Sequence, residues 1–436
     1  MTIAPPTNDM FRLRTNDFGA LFTIFATPLP IAARILLLFC LSAKAGAESQ
    51  GVFSHAATMA IMLVIMAATG VGLTVVFLIA RNRRRYIHLC YIATIVYTLL
   101  ITGLSACIIP LLLACFPSYI AGYPPSMQLL FPIFVFANLQ FLFHNQILSG
   151  LQCFTHYFWM NVLQSMSLLI GVFVLALADY WTVASAFSVW TLSLLFPLPF
   201  QKVAILRRSE GTSIQNHRLA KLLPLLIAHA AKSSVATISD ALVFRSGVLV
   251  LRVFAPFSVV GVYAIACSIS EVILNLPKGL GVFLLPRLTA TRGQVTQQVL
   301  WRYAISFFLL AFLAGLMVLV TPAISIVLNQ EEYTESIRLS RILLVGTTFM
   351  GWGMLIASFM RASGDMKAVM NASLLSLVVV AISSFSLIPI FHAYGASLAA
   401  ILGFSTYALY TAKWLHTAFS KSLKDSYRSI AVLSQG

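Results

Sequence analysis

Apolar segments long enough to cross a lipid bilayer occupy almost the whole chain. They restrict the chain to the few folds that a membrane protein can adopt. Of the 436 residues, 60% are hydrophobic and only 9% are charged, whereas soluble domains carry roughly 25% charged residues. A helix needs about 20 mostly apolar residues to span the hydrocarbon core. Twelve segments meet this requirement, at approximately 18–42, 51–80, 86–115, 127–149, 154–178, 181–205, 223–252, 258–286, 303–328, 339–361, 367–391 and 394–418.

The pattern within these segments indicates helices. They are continuously apolar, whereas the strands of a membrane barrel alternate apolar and polar residues. The run Ile35–Leu41 and the alanines after it resemble a signal peptide with its cleavage site. The apolar stretch that starts at Phe18 is too long for a signal core, and it contains Arg34. We therefore predict an all-α polytopic membrane protein with about twelve transmembrane helices, the first of which is retained.

Two halves of the chain repeat each other. The run from Gly51 to Phe53 returns 210 residues later as Gly261 to Tyr263, and the same spacing relates Met160–Asn161 to Met370–Asn371. Repetition over half the length of a membrane protein is typical of transporters built from two related bundles. We therefore predict two pseudo-symmetric six-helix bundles.

The longest polar run inside the chain, Arg207–Lys221, predicts where these bundles are joined. The expected domains are an N-terminal six-helix bundle over 1–206, a cytoplasmic connector over 207–222, a C-terminal six-helix bundle over 223–420 and a cytoplasmic tail over 421–436.

The distribution of basic residues predicts the orientation. With both termini in the cytoplasm, 20 of the 28 lysines and arginines fall on the cytoplasmic side, four fall outside and four lie within spans. Membrane proteins show this excess of positive charge on the cytoplasmic side. The net charge of +16 is thus mainly a topology signal, and nucleic-acid binding is not expected.

Charged side chains inside the spans are the candidate functional residues. Each costs roughly 2.5–3.5 kcal/mol near the bilayer centre, so they should face a hydrated cavity or one another. Arg34 and Arg245 lie 211 residues apart, at nearly equivalent positions in the repeat, so pseudo-symmetry would bring both to one central cavity. The complete set is Arg34 in the first span, Lys232, Asp240 and Arg245 in the seventh, and Glu271 and Lys278 in the eighth.

Structural explanations compete with functional ones for some of these charges. Asp240 and Arg245 could pair with other residues to hold helices together, and Lys232 could reach the inner headgroups. Glu271 and Lys278 lie seven residues apart, on one face of a helix, where either explanation applies. Four cations against two anions predict a cationic cavity, and hence an anionic substrate headgroup.

Several motifs occur in a characteristic order in the second half of the chain. They comprise Gly261, Tyr263, Glu271, Leu276–Pro277 and Pro286–Leu288, followed by Gly364–Asp365, Lys367 and Tyr394–Ser397 near helices 11 and 12. The run Gly261–Thr289 resembles the eighth-helix region of bacterial polysaccharide exporters of the multidrug/oligosaccharidyl-lipid/polysaccharide transporter superfamily, and Asp240 resembles the acid of their seventh helix.

The resemblance implies a Wzx-like O-antigen flippase in the bacterial inner membrane. Such a protein moves an undecaprenyl-pyrophosphate-linked oligosaccharide between leaflets by alternating access, with two bundles forming a V around a central cavity. The resemblance further implies that the protein needs no cofactor and that a proton or sodium gradient can drive transport. The implied partners are the lipid-linked oligosaccharide, membrane lipids and polysaccharide polymerase machinery. By this resemblance the cargo is held by Arg34, Arg245, Lys278 and Lys232, while Asp240 and Glu271 balance charge or couple transport to the ion gradient.

Three alternatives remain open. A drug or cation antiporter of the same superfamily would share the fold but favours intramembrane acids, whereas the first span carries Arg34 and no buried carboxylate. A peptidoglycan-precursor flippase would share the cationic cavity but usually has more helices. A membrane-embedded glycosyltransferase or polymerase would need paired catalytic groups on sizeable external loops. The longest predicted external loop, Gln330–Arg338, is short, so we do not expect an enzyme.

Overall fold

The computed structural model describes residues 28–81, 87–151, 153–209, 216–280, 297–328 and 332–433, and the regular elements within these ranges are helices. Two short 3₁₀ helices cover Pro117–Tyr119 and Val272–Leu274. The α-helices are α1 (Pro28–Arg81), α2 (Ile87–Ala106), α3 (Ile108–Cys115), α4 (Met127–Gly150), α5 (Phe154–Ala178), α6 (Val183–Leu195), α7 (Leu198–Ser209), α8 (Asn216–Phe254), α9 (Phe257–Glu271), α10 (Gln297–Leu328), α11 (Glu332–Ala362) and α12 (Met366–Leu433).

Backbone kinks divide the two longest helices into two spans each. In α1 the kink is at Gly46, with φ 80° and ψ 172°, a conformation that glycine adopts readily because it lacks a Cβ atom. In α12 the kink is at His392, with φ 47° and ψ −119°. The predicted loop between the first two spans is thus reduced to a sharp bend.

The remaining helices account for the other predicted spans. The third span consists of α2 and α3, and the sixth consists of α6 and α7, which are separated near Pro197, a residue that lacks a backbone donor. The predicted external loop Gln330–Arg338 is mostly helical, because α11 already begins at Glu332. The predicted start of the first span at Phe18 lies outside the described residues.

Apolar side chains cover the outside of the bundle. On α10 they form a stripe that recurs every three or four residues, as one face of a helix does. Soluble monomers rarely expose large contiguous apolar patches, so this surface is suited to lipid. The prediction of an all-α polytopic membrane protein is confirmed. The exposed stripe on α10 comprises Trp301, Ile305, Phe308, Phe312, Leu316 and Leu319.

The two halves of the chain meet mainly where α1 packs against α8 and α9. Within the first half, α4 packs against α1 and α2, while α5 packs against α6. Within the second half, α12 packs against α8 and α11. The interface between the halves is therefore formed by the first, second, seventh and eighth spans. The exact domain boundaries proposed from the polar run Arg207–Lys221 stay a prediction.

Candidate functional site

A solvent-accessible cavity lies between the two halves. It is open on one side, and helices α1, α6, α8 and α9 supply its walls. The polar lining includes two arginines, one from each half, together with small hydroxyl side chains. The lining residues are Arg34, Leu38, Phe53, Ser54, Ala57, Thr58, Ile61, Trp190, Arg245, Val248, Ala264, Cys267 and Ser268.

Arg34 contributes a cation whose hydrogen-bonding capacity is not fully used. Its guanidinium carbon lies 5.7 Å from the ring centroid of Trp190 on α6, within the range of cation–π attraction. Its Nε atom is buried and has no hydrogen-bond partner. Within the described part of the chain, no carboxylate forms an ion pair with Arg34. The cavity therefore contains an arginine that can still bind an anion.

Arg245 already has a partner. Its Nη1 donates to Glu271 Oε1 at 3.1 Å, and its Nη2 donates to Glu271 Oε2 at 3.2 Å. The two side chains remain 20% and 15% exposed. A bidentate pair of this kind is geometrically specific. Arg245 thus lines the cavity while its fork is occupied, and Glu271 is not a free carboxylate.

Lys278 brings a further cation to this cluster. Its side chain is exposed, and its Nζ lies 5.7 Å from the ring centroid of Phe244. It is close enough to interact electrostatically with Glu271, Arg245 and Arg34. The four side chains therefore form one cluster of three cations and one carboxylate. We refer to Arg34, Arg245, Glu271 and Lys278 as the cavity charge cluster, of which Arg34 and Arg245 line the cavity and Glu271 and Lys278 lie outside the lining set.

Asp240 lies elsewhere, inside the second half. Its Oδ2 is 3.9 Å from Arg361 Nη2 on α11, its Oδ1 is buried, and Ser373 on α12 is a neighbour of the carboxylate. The hydroxyl of Tyr407 on α12 is also buried and interacts electrostatically with Asp240. Three helices thus surround a carboxylate that does not line the central cavity. For Lys232, the side chain lies outside the described residues.

Some residues of these sites gave no signal in the sequence. Arg361 falls at the end of a span, where basic residues are common, so its pairing with Asp240 could not be recognised. Trp190 lies in a continuously apolar run, which is also how a lipid-facing tryptophan would appear. In both cases the three-dimensional packing of helices distant in sequence determines the role.

Comparisons with solved structures establish the fold. No family model matches the chain, and no curated protein matches it. An inward-facing MATE multidrug-resistance transporter of the MOP superfamily aligns with a TM-score of 0.74 at 15% identity, over 92% of this chain and 99% of that chain. The lipid II flippase MurJ, in an inward closed conformation, aligns with a TM-score of 0.72 at 13% identity, over 96% of this chain and 92% of that chain. The chain has the fold of these transporters.

An outward-facing MATE transporter aligns with a lower TM-score of 0.56 at 12% identity, although 97% of this chain and 100% of that chain are covered. These neighbours agree with the predicted MATE- or flippase-like arrangement of two bundles. They establish the architecture of the chain, and the cargo has to be inferred from the chemistry of its own cavity.

Proposed function

We propose that this protein is a flippase for an anionic lipid-linked oligosaccharide, of the Wzx-like type that moves undecaprenyl-pyrophosphate-linked repeat units across the bacterial inner membrane. The observation that carries the proposal is Arg34, which lines a cavity between the halves, keeps a buried Nε without a hydrogen-bond partner and forms no ion pair with a carboxylate among the described residues. The similarity in fold to a lipid II flippase is consistent with such a cargo.

The charges of the cavity suit a pyrophosphate group. Guanidinium groups bind phosphate oxygens through directed, charge-assisted hydrogen bonds. The cavity charge cluster has three cations and only one carboxylate, and that carboxylate is held by Arg245. A pyrophosphate would supply the missing negative charge. It would enter beside Arg34 and Lys278, while the polyprenyl tail remained in the bilayer.

A cationic drug is less compatible with the same cavity. Its transport would need an accessible carboxylate to neutralise it, whereas Glu271 is bound by both its oxygens to Arg245. The other candidate acid, Asp240, lies near Arg361 outside the cavity lining. The MATE-like fold alone does not offset this charge mismatch.

Reconstitution into lipid vesicles tests the proposal. Vesicles containing the purified protein would carry a fluorescent undecaprenyl-pyrophosphate oligosaccharide, and a membrane-impermeant quencher would report how much has changed leaflets. We expect protein-dependent translocation of the pyrophosphate lipid and none of a matched neutral glycolipid. Transport of a cationic dye without translocation of the pyrophosphate lipid would instead assign the protein to drug efflux.

Asp240 is proposed to couple this transport to a proton or sodium gradient, because it is a largely buried carboxylate inside a span and its neighbouring cation, Arg361, is as far as 3.9 Å away. We expect Asp240→Asn to lower gradient-driven transport by about tenfold, while binding of the lipid-linked oligosaccharide is retained. The measurement compares transport rates with and without an imposed gradient. The matched control is Asp365→Asn, because Asp365 accepts hydrogen bonds from Trp414 and Ala368 instead. Equal gradient dependence in Asp240→Asn and the unmodified protein would remove Asp240 from coupling.

The proposal also includes location and partners. We place the protein in the bacterial inner membrane with both termini in the cytoplasm, following the distribution of its basic residues. The glycan delivered to the outer leaflet would be the substrate of a polysaccharide polymerase.

A further inference from the structure

Two glycines that correspond in the sequence repeat meet in space. Gly51 on α1 and Gly261 on α9 lie where these helices cross, and a Cβ atom on Gly51 would overlap the carbonyl oxygen of Phe257. A Cβ atom on Gly261 would likewise overlap the carbonyl oxygen of Ala47 and lie 2.9 Å from the backbone nitrogen of Gly51. The two backbones are therefore in direct contact, which only residues without a Cβ atom allow.

The contact has the symmetry of the repeat. Ala47 and Phe257 are also 210 residues apart, and each precedes its own glycine by four residues. The glycine of each half therefore touches the corresponding carbonyl of the other half. We call this contact, formed by Ala47, Gly51, Phe257 and Gly261, the glycine crossing.

Arg252, at the end of α8, ties the halves together near this crossing. It donates from Nη2 to the carbonyl of Ser118 at 2.6 Å and from Nε to the carbonyl of Tyr119 at 3.0 Å. Both carbonyls belong to the first half, and Nη1 donates to Ala255 in its own half at 3.1 Å. The guanidinium carbon also lies 3.9 Å from the ring centroid of Phe257. We call these contacts the Arg252 clamp.

Aromatic rings fill the space around the crossing and the clamp. His55, which is fully buried, lies 2.7 Å from the hydroxyl of Tyr123 through its Nδ1. Its ring packs edge-on against the rings of Tyr119, Tyr123 and Phe257. Tyr119 also donates across the interface to the carbonyl of Leu249 at 3.1 Å. Residues of both halves thus close this end of the interface.

The closed end lies next to the candidate cavity. In the part of α1 that follows the Gly46 kink, the cavity lining begins at Phe53, two residues after Gly51, and on α9 it begins at Ala264, three residues after Gly261. The basic-residue distribution predicts that this end faces the outside.

We propose that the glycine crossing and the Arg252 clamp form the outer gate of the cavity and must separate for cargo to leave. This inference rests on the transport part of the proposed function and is independent of the identity of the cargo. Arg252 can release the other half, because backbone carbonyls hold it there and no carboxylate among the described residues forms an ion pair with it. The glycines allow the close approach that completes the closure.

Alanine substitutions at the crossing test the gate. In Gly51→Ala and Gly261→Ala the added methyl group meets backbone atoms, which cannot rotate away, so we expect the halves to part at this end. A cysteine at Ser268 in the cavity lining, in a chain lacking its natural cysteines, would report access to a membrane-impermeant maleimide added outside. We expect labelling to become about tenfold faster, equivalent to a shift of about 1.4 kcal/mol in the gating equilibrium.

The controls use glycines with free space around them. A Cβ atom on Gly103 or Gly315 would meet nothing within 4 Å, so Gly103→Ala and Gly315→Ala should be labelled at the parent rate.

A second set of variants removes the Arg252 clamp. Arg252→Ala should also increase the rate of labelling from outside, and Arg252→Lys should increase it less. Arg341→Ala, at an exposed arginine predicted to lie outside, is the control for loss of charge.

The outcomes separate the gate from the cargo assignment. Faster outside labelling in the glycine and Arg252 variants supports the gate even if no pyrophosphate lipid is translocated. Unchanged outside labelling in folded Gly51→Ala, Gly261→Ala and Arg252→Ala proteins would overturn it. If the alanine variants at the glycines fail to fold, the two Arg252 variants decide the question.

Discussion

Replacing Arg34 with alanine is expected to abolish translocation of the lipid-linked oligosaccharide while the protein still folds and inserts. Arg34 has no carboxylate partner among the described residues and keeps an unpartnered buried Nε. Its removal therefore leaves no buried charge unpaired in the protein, and stability should be unchanged. Losing a hydrogen bond to a charged group costs about 1.5–3 kcal/mol, which corresponds to roughly 10- to 150-fold weaker cargo binding.

The measurement is translocation in reconstituted vesicles together with thermal unfolding in detergent. Arg34→Lys should retain part of the activity, because it keeps the charge but loses the planar fork. Lys44→Ala is the matched control on the same helix, since Lys44 pairs with Asp179 at 3.0 Å and the two side chains are 55% and 72% exposed. Exposed pairs of this kind contribute little. Normal translocation by Arg34→Ala would exclude Arg34 from cargo binding.

Breaking the pair between Arg245 and Glu271 is expected to have the second largest effect. Arg245→Gln leaves the Glu271 carboxylate unpaired and makes the cavity less positive, so both stability and translocation should fall. Fully buried pairs cost about 3–5 kcal/mol when one partner is removed. Because this pair is partly exposed, we expect the free energy of unfolding to fall by only about 1–3 kcal/mol.

The double variant Arg245→Gln/Glu271→Gln separates the two roles of Arg245. It removes one positive and one negative charge, so the net charge of the cavity charge cluster is unchanged. We expect stability to recover, with an interaction energy of about 0.5–3 kcal/mol in the double-mutant cycle. Translocation should recover as well, because Arg34 and Lys278 remain. A folded double variant without translocation would show that Arg245 itself contacts the cargo.

Much of the fold could be predicted because the bilayer restricts how a chain can be built. Length and apolarity are enough to identify spanning helices, and the 210-residue repeat indicated two related halves. Local details did not follow, since the bend at Gly46 and the early start of α11 at Glu332 depend on how neighbouring helices pack.

The candidate site was predictable only in part. Charges inside apolar spans identified Arg34, Arg245, Glu271 and Lys278, because such charges are too costly to face lipid. Their pairing was not predictable, since the rotation of α8 relative to α9 decides which carboxylate Arg245 meets. The repeat likewise revealed that Gly51 and Gly261 correspond, but it could not show that the two glycines touch.

A cryo-EM structure of the protein with a bound undecaprenyl-pyrophosphate oligosaccharide tests the central claim most directly. The account predicts phosphate oxygens within hydrogen-bonding distance of the Arg34 guanidinium, about 3 Å, in the cavity between the halves. Phosphates bound away from Arg34, for example on the basic surface near Arg207, with the cavity holding no part of the headgroup, would contradict it.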